Sequence, residues 1–321
     1  MSASVLLIAL LIDHCLGWPT RLYRRIGHPV TWLGKCIERL DAKLNQQTNT
    51  TRFKGRLHGL ITLLLIAGAS GLLGWIMQRV FESSVWLWWL IAVAAWPLIA
   101  MRSMKEHVEA VADPLDVQDL PGARHAVSMI VGRNPDALDE AGVARAALES
   151  LAENTSDGVV APLFWALVFG LPGLFIYKSV NTLDSMIGHH NDRYEHFGWA
   201  SAKVDDFLNL VPARLTGLLF AMQGLVRQQN LWPILVSVRQ EAPLHRSPNA
   251  GWPESALAQI LGVRLAGPRY YGGDLVEEPY FNPYGQDATA HDLRRGLDCY
   301  RRLMYSIVVL LIGVALVQLA L

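Results

Sequence analysis

Apolar residues along this chain gather into long blocks instead of alternating or recurring every three to four positions. A helix needs about 20 mostly apolar residues to cross a bilayer. Four blocks approach that length: 3–18, interrupted by Asp13; 57–77, free of charge; 85–101, with Trp86, Trp88, Trp89 and Trp96 suited to an interface belt; and 303–321. Two further blocks are interrupted. Block 158–177 is broken by Pro162 and by Gly170-Leu-Pro-Gly173, and block 207–225 holds Asn209, Pro212 and Arg214. Helix breaks and polar groups at membrane depth are tolerated only against protein or a water-filled cavity. These two blocks therefore predict broken or re-entrant helices that wall a site. The pattern predicts an all-α, multi-pass helical integral membrane protein, a single membrane-embedded domain over 1–321.

The polar stretches 19–56, 102–157 and 227–302 read as helices and loops outside the bilayer. In 19–56, Arg21, Arg24, Arg25, Lys35, Arg39, Lys43, Arg52, Lys54 and Arg56 face only Glu38 and Asp41. The positive-inside rule puts this segment, and the polar stretches that follow, in the cytoplasm. The expected location is the inner, cytoplasmic membrane. The apolar start lacks a basic lead and a small-residue cleavage site, so it is expected to be a retained helix. Asp119-Leu-Pro and Asn134-Pro-Asp136 read as helix starts. The Gly-, Pro- and Tyr-rich run 270–285 reads as loop, and no alternating run is long enough to predict a sheet.

Composition supports the membrane reading. Hydrophobic residues make up 52% of the 321 and charged residues only 17%, against about a quarter charged in soluble domains. The net charge is zero, which gives no global case for nucleic acid. Cys15, Cys36 and Cys299 form neither a C-x-x-C pair nor a Cys/His metal spacing. Phosphate-loop, dinucleotide-binding, serine-elbow and H-E-x-x-H patterns are all missing.

Chemistry concentrates in the polar residues beside the apolar blocks. Glu149 and Glu153 lie four apart, on one helix face, with Asn154 and Asp157 following. Such oxygen-rich sites suit Mg²⁺, which takes one or two carboxylates plus substrate phosphates; a solvated acidic helix end is the plainer alternative. Lys178, Asn181 and Asp184 recur every three residues, with Thr182 among them. Lysine can neutralise a phosphate while the acid holds a metal, or it can simply snorkel at a membrane edge. Asp205 and Asn209 are four apart, beside Asp206, and Arg214 sits inside an apolar run. That arginine needs an anionic partner, either a ligand or one of the acids. His28 and the turn-rich stretch with Asn249 and Glu254 are weaker candidates, each with a structural role as its alternative.

Four runs carry a resemblance. They are ALESLAENTSDGVVAPLF from Ala147, YKSVNTLDSMIG from Tyr177, FGWASAKVDDFLNLVPARLT from Phe197, and SPNAGWPESALAQILGVRLAGPRYYGG from Ser247. With His28-Pro-Val and Gly34, they resemble the CobD/CbiB family of cobalamin biosynthesis over nearly the whole chain. The resemblance implies adenosylcobinamide-phosphate synthase activity. An ATP-dependent ligase of this kind joins the carboxylate of adenosylcobyric acid to (R)-1-aminopropan-2-ol phosphate or a related aminoalcohol. ATP and Mg²⁺ are the implied cofactors. The implied partners are the corrinoid and aminoalcohol phosphate, the lipid bilayer and other corrinoid-pathway membrane enzymes. One departure is Gly132-Arg133-Asn134-Pro135, where the family pattern has Gly-Arg-Asp-Thr; Arg133 is kept.

On this reading Mg²⁺ is held by some of Glu149, Glu153, Asp157, Asp184 and Asp205. Lys178 and Arg214 neutralise the phosphoryl group or the anionic substrates, and Asp206 or Glu153 takes the amine proton. His28, Arg133, Asn154, Asn181, Thr182, Asn209, Asn249 and Glu254 bind substrate or ATP. Two other readings compete. A Mg²⁺-dependent membrane prenyl- or phosphatidyl-transferase lacks its D-G-x-x-A-R spacing here. A non-catalytic membrane sensor on the same fold would not need acids and bases in all four runs.

Overall fold

The computed structural model describes residues 1–46, 51–84, 86–132, 135–189, 191–271 and 274–321, with no side chain described over 269–276. Helices dominate: α1 (Ala3–Leu16), α2 (Thr20–Ile26), α3 (Pro29–Leu44), α4 (Arg52–Glu82), α5 (Leu90–Ala95), α6 (Met101–Asp116), α7 (Leu120–Ser128), α8 (Glu140–Thr155), α9 (Ala161–Ile187), α10 (Trp199–Val226), α11 (Leu231–Glu241), α12 (Gly251–Leu261) and α13 (Ala290–Ala320). A π-helical turn, Ser156–Val160, joins α8 to α9.

Among the described residues three helical stretches are long and apolar enough to cross a membrane: Arg52–Glu82, Glu140–Ile187 and Ala290–Ala320. Helix α1 with Thr20–Leu44, bent by 102°, passes the same test only as a pair, as a broken span or a re-entrant loop. Blocks 57–77 and 303–321 lie in α4 and α13. Block 3–18 is the short α1. Block 85–101 departs from expectation. Val85 is outside the described residues, α5 is only six residues long, Trp96–Leu98 is a 3-10 turn, and the chain is extended at Ile99. Pro97 accounts for the break, because it has no N–H to donate and its ring clashes with the preceding turn. Block 207–225, expected to be broken, runs unbroken inside α10, which is not among the candidate spans. Block 158–177 is broken as expected, at Gly170 (φ 71°, ψ −154°) inside α9. Only glycine adopts that backbone readily.

The chain divides into two compact units. The first comprises Met1–Ala100, Ala161–Asn209 and Leu311–Leu321; the second comprises Met101–Val160 and Leu210–Leu310. In the first unit α4 packs along α9. Its buried face carries Gly55, Gly59, Gly71 and Gly74 among Thr62, Leu63 and Ile66. A Cβ at Gly74 would lie 2.8 Å from the Leu171 carbonyl oxygen, and one at Gly59 would overlap the Phe197 carbonyl. Small residues let helix backbones approach this closely where lipid offers no hydrophobic drive between helices. The core beside them holds Ile37, Leu63, Ile66, Val180, Leu183, Ile187, Phe197 and Ala200.

In α9 and α10 a distant side chain satisfies a backbone group that the helix leaves free. At the Gly170 break, the Leu171 N–H donates to Gln78 Oε1 (2.8 Å). In α10, Pro212 has no N–H for the Leu208 carbonyl, and the Trp165 indole donates to that oxygen instead (3.1 Å). The turn between α9 and α10 is held by Asp41 of α3. Its carboxylate accepts from Arg193, from Tyr194 OH (3.2 Å) and from Asn45 (2.8 Å).

In the second unit α6 packs on α7 and α8, and α11 packs on α12. Asp119 caps α7 as expected, donor Gly122 N at 3.0 Å. Asn134, expected as a helix start, lies outside the described residues; α8 begins at Glu140 with Asp139 as its cap (Gly142 N, 2.7 Å). The loop predicted over 270–285 contains strand residues. Strands β1 (Leu265–Ala266) and β4 (Tyr280–Phe281) pair antiparallel, as do β2 (Arg269–Tyr271) and β3 (Asp274–Val276). Strands of two or three residues are too short to show a period in sequence. Glu241 at the end of α11 gathers this region. It accepts from Ser255 Oγ (2.6 Å), Gln259 (2.9 Å) and the Asn282 N–H (3.0 Å).

Candidate functional site

The first unit brings the polar faces of α9 and α10 together. On α10 the buried positions Ser201, Asp205 and Asn209 follow each other at one-turn spacing, so they form one stripe. Asn209 donates to Asp205 Oδ2 (2.9 Å) and accepts from the Tyr177 hydroxyl of α9 (2.9 Å). Burial and the neighbouring Asp184 charge push the Asp205 carboxyl up to about 7, while the Asn209 and Asn181 amides favour its charged form. Asp205 Oδ1 and Ser201 Oγ are buried without a hydrogen-bond partner.

Lys178 and Asn181 meet on α9, Nζ to Oδ1 at 3.4 Å. Thr182, buried, turns its hydroxyl onto the Lys178 carbonyl (2.7 Å), a bond internal to the helix. Asp206 lies 3.6 Å from Lys203 on the more open side of α10. His28 is close enough to Lys178 to feel its charge, but its ring is engaged elsewhere. Nδ1 accepts from the Val30 N–H as the cap of α3 (3.2 Å), the Pro97 backbone provides a second hydrogen bond, and Trp18 packs edge-on at 4.7 Å. The geometry gives His28 a structural task that joins the two ends of the α1–α5 region.

The second unit carries its own cluster. Arg214 donates to the Leu210 carbonyl (2.7 Å) and to Asn249 Oδ1 (3.3 Å), and its guanidinium lies 4.6 Å over the Trp252 ring. Among the described residues no carboxylate pairs with it, so its recorded partners are neutral. The internal Arg–Asp pair weighed from sequence is not found among the described residues. The Ser247 hydroxyl shapes the loop that carries Asn249, accepting from the N–H groups of Asn249 (3.2 Å) and Ala250 (3.3 Å). Glu254, buried at the start of α12, faces His245 Nε2 at 3.9 Å. His245 Nδ1 in turn accepts from the Ser247 N–H (3.0 Å), which ties Glu254 to the same loop.

The acids of α8 have separate tasks. Glu149 is buried and accepts from the Ala266 N–H (2.8 Å), anchoring β1. Glu153 is exposed and Asp157 half-buried, on the π-helical turn. Turns of this kind occur often at functional sites. Asn154 donates to Ser150 O (2.9 Å) and Oγ (3.1 Å). Arg133 lies outside the described residues. Among the described residues no three His, Cys, Asp or Glu side chains gather into a metal cage, so any cation here draws on fewer carboxylates and on other oxygens.

Tyr177, Ser201, Trp252, Glu241 and His245 had no role in the sequence reading. Ser201 was legible as the residue one turn before Asp205. Tyr177 and Glu241 reach partners 32 and 41 positions away, and no local pattern signals that.

Comparison with known proteins adds the frame for these clusters. The model of the CobD/Cbib protein family matches residues 6–300. The chain belongs to the CobD/CbiB family. Among its CobD/CbiB relatives, the cobalamin biosynthesis protein CobD of Rhodobacter capsulatus is 53% identical over 306 residues, 94% of each chain. Proteins of the same name from Brucella suis (46% over 332 residues, 98% of this chain and 97% of the relative) and Rhizobium meliloti (47% over 296 residues, 90% of each) are also similar. No solved structure matches. Membership places the chain among CobD/CbiB cobalamin biosynthesis proteins, and its apolar helices fit a membrane protein.

Proposed function

We propose that this chain is an ATP-dependent amide ligase that joins the carboxylate of adenosylcobyric acid to (R)-1-aminopropan-2-ol phosphate, or a close relative, giving adenosylcobinamide phosphate. The observation that carries the reading is that Asn181 of α9 is shared, accepting from Lys178 and hydrogen-bonding Asp205 of α10, on which the Asp184 charge also acts. It puts a phosphate-neutralising cation on the same pair of helices as carboxylates. Arg214, charged yet held by neutral partners, supplies a second anion-binding group within its own unit.

A carboxylate cannot acylate an amine directly, because oxide is not a workable leaving group. A carboxylate oxygen attacks the γ-phosphorus of ATP, ADP leaves, and an acyl phosphate forms. The amine then attacks the acyl carbon, inorganic phosphate leaves, and the amine proton passes to a carboxylate, for which Asp206 and Glu153 are the candidates. Lys178 in the first unit is a candidate to offset charge building on the transferring phosphoryl group, and Arg214 in the second unit is a candidate to hold an anionic group of a substrate. Mg²⁺, when bound, neutralises the phosphate oxygens of ATP. The basic surface of 19–56 favours a cytoplasmic face of the inner membrane for the chemistry, where ATP is available. Other membrane enzymes of the corrinoid pathway are natural neighbours for passing on so large a substrate.

The experiment is to incubate the purified protein with adenosylcobyric acid, aminopropanol phosphate, ATP and Mg²⁺, and to follow the corrinoid by mass spectrometry. The expected product gains the mass of the aminoalcohol phosphate less water, with one ADP formed per amide. Substrate consumption without ATP hydrolysis would instead support a transferase.

A further inference from the structure

We propose that Arg56 and Trp199 form a binding site for the headgroup phosphate of an anionic phospholipid, with its acyl chain along the exposed apolar face of α4 that begins beside them.

Arg56 stands where two chemistries meet. It lies in the second turn of α4, immediately before the charge-free block 57–77. Helix α4 is long and apolar enough to span a bilayer, which puts the guanidinium where headgroups meet hydrocarbon. Gly59, three residues on, lacks the Cβ that would overlap the Phe197 carbonyl. The start of α10 therefore comes close, and the Arg56 guanidinium lies over the Trp199 ring, 4.6 Å from its centroid. An arginine at a membrane edge ordinarily extends its charge into water. Here the indole holds the half-buried side chain in place, and indoles favour this depth.

The charge so held lacks an anion. Elsewhere in the first unit Arg193 pairs with Asp41 and Lys203 with Asp206. Among the described residues Arg56 has neither an acidic partner nor a hydrogen bond, and its Nε is buried without an acceptor. Buried polar atoms normally find partners. A guanidinium fixed on one face by a ring still offers its N–H edge, whose fork matches two oxygens of a phosphate.

The surface beside Arg56 selects a lipid over a soluble phosphate. Leu60 and Leu64 follow it at four-residue steps, so all three share one face of α4. Leu60 is 41% exposed and Leu64 62%, and Leu57 is exposed next to them. A nucleotide has no group for that stripe, whereas a phospholipid fills phosphate site and stripe with one molecule. The first turn of α4 carries exposed Arg52 and Lys54 and no acid. A headgroup bearing its own cation meets only like charge there, which favours an anionic lipid.

The test titrates the full-length protein in micelles with phosphatidylglycerol or phosphatidylcholine of the same chains, and counts bound lipid by native mass spectrometry. Phosphatidylglycerol is expected to bind about tenfold more tightly than phosphatidylcholine. Arg56→Gln is expected to weaken it about tenfold, and Trp199→Leu severalfold. Arg21→Gln, which removes an exposed cation of α2, is expected to leave it unchanged. Thermal midpoints are recorded for each variant, and if Arg56→Gln fails to fold, Trp199→Leu decides alone. Equal binding of the two lipids, or phosphatidylglycerol binding untouched by Arg56→Gln and Trp199→Leu, overturns the proposal. Equal weakening by Arg21→Gln would show a diffuse basic surface in place of a site. Displacement of the lipid by inorganic phosphate or ATP would assign Arg56 to a soluble anion, and either result also overturns it.

Discussion

Asn209 holds the Asp205 carboxylate from one turn away at 2.9 Å, and is itself held by the Tyr177 hydroxyl at the same distance. The relay crosses from α9 to α10 and fixes the orientation of the carboxylate without using a charge. Asn209→Ala removes both hydrogen bonds from a buried position. It is expected to cost about 2–4 kcal/mol, and Tyr177→Phe about 1–2 kcal/mol. Denaturant unfolding in micelles, followed by circular dichroism, measures both, and amide formation should fall more in Asn209→Ala than in Tyr177→Phe. Equal stability of all three proteins would remove the relay.

The raised Asp205 carboxyl makes stability depend on pH with a definite sign. Its folded value of about 7 lies above its unfolded value, roughly 4, so the folded state binds the proton more tightly. The stabilisation is full below about pH 4 and is lost as pH rises towards about 7. Between pH 5 and 7 the wild-type thermal midpoint should fall relative to that of Asp205→Asn, which cannot titrate. Parallel curves for the two proteins would show that Asp205 titrates normally.

Arg214 combines a cation–π contact over the Trp252 ring with a hydrogen bond to Asn249. Lysine keeps the charge but loses the planar fork. Arg214→Lys is therefore expected to raise KM for an anionic substrate about tenfold, equivalent to about 1.4 kcal/mol, and Arg214→Ala more. Steady-state kinetics with ATP and aminoalcohol phosphate varied separately identify which substrate it serves. Unchanged KM values for both would assign Arg214 to structure alone.

Gly170 is expected to tolerate no side chain. Its φ of 71° disfavours a Cβ, and a Cβ there would collide with the Gln78 amide that accepts from Leu171 N. Gly170→Ala should cost about 1–3 kcal/mol and lower the yield of folded protein in membranes. A normal thermal midpoint for Gly170→Ala would mean that the break in α9 relaxes freely.

The sequence carried the uninterrupted apolar blocks well, because 57–77 and 303–321 hold neither proline nor several charges, and they emerge inside α4 and α13. Block 85–101 was misread because hydropathy sums over Pro97 without registering the hydrogen bond it removes. The break at Gly170 was visible in Gly-Leu-Pro-Gly, while the Pro212 region, equally suspicious, stays helical because the distant Trp165 indole satisfies the freed carbonyl. In the candidate site the spacing of Asp205 and Asn209 was readable as one helix face. That Glu149 serves β1 rather than standing with Glu153 was not, since its partner Ala266 lies 117 positions away.

The central claim is that ATP activates the corrinoid carboxylate. Adenosylcobyric acid carrying ¹⁸O in that carboxylate, turned over with ATP, Mg²⁺ and aminopropanol phosphate, tests it most directly. One labelled oxygen should appear in the inorganic phosphate released and the other in the amide. Amide formed with no label in phosphate would contradict the account.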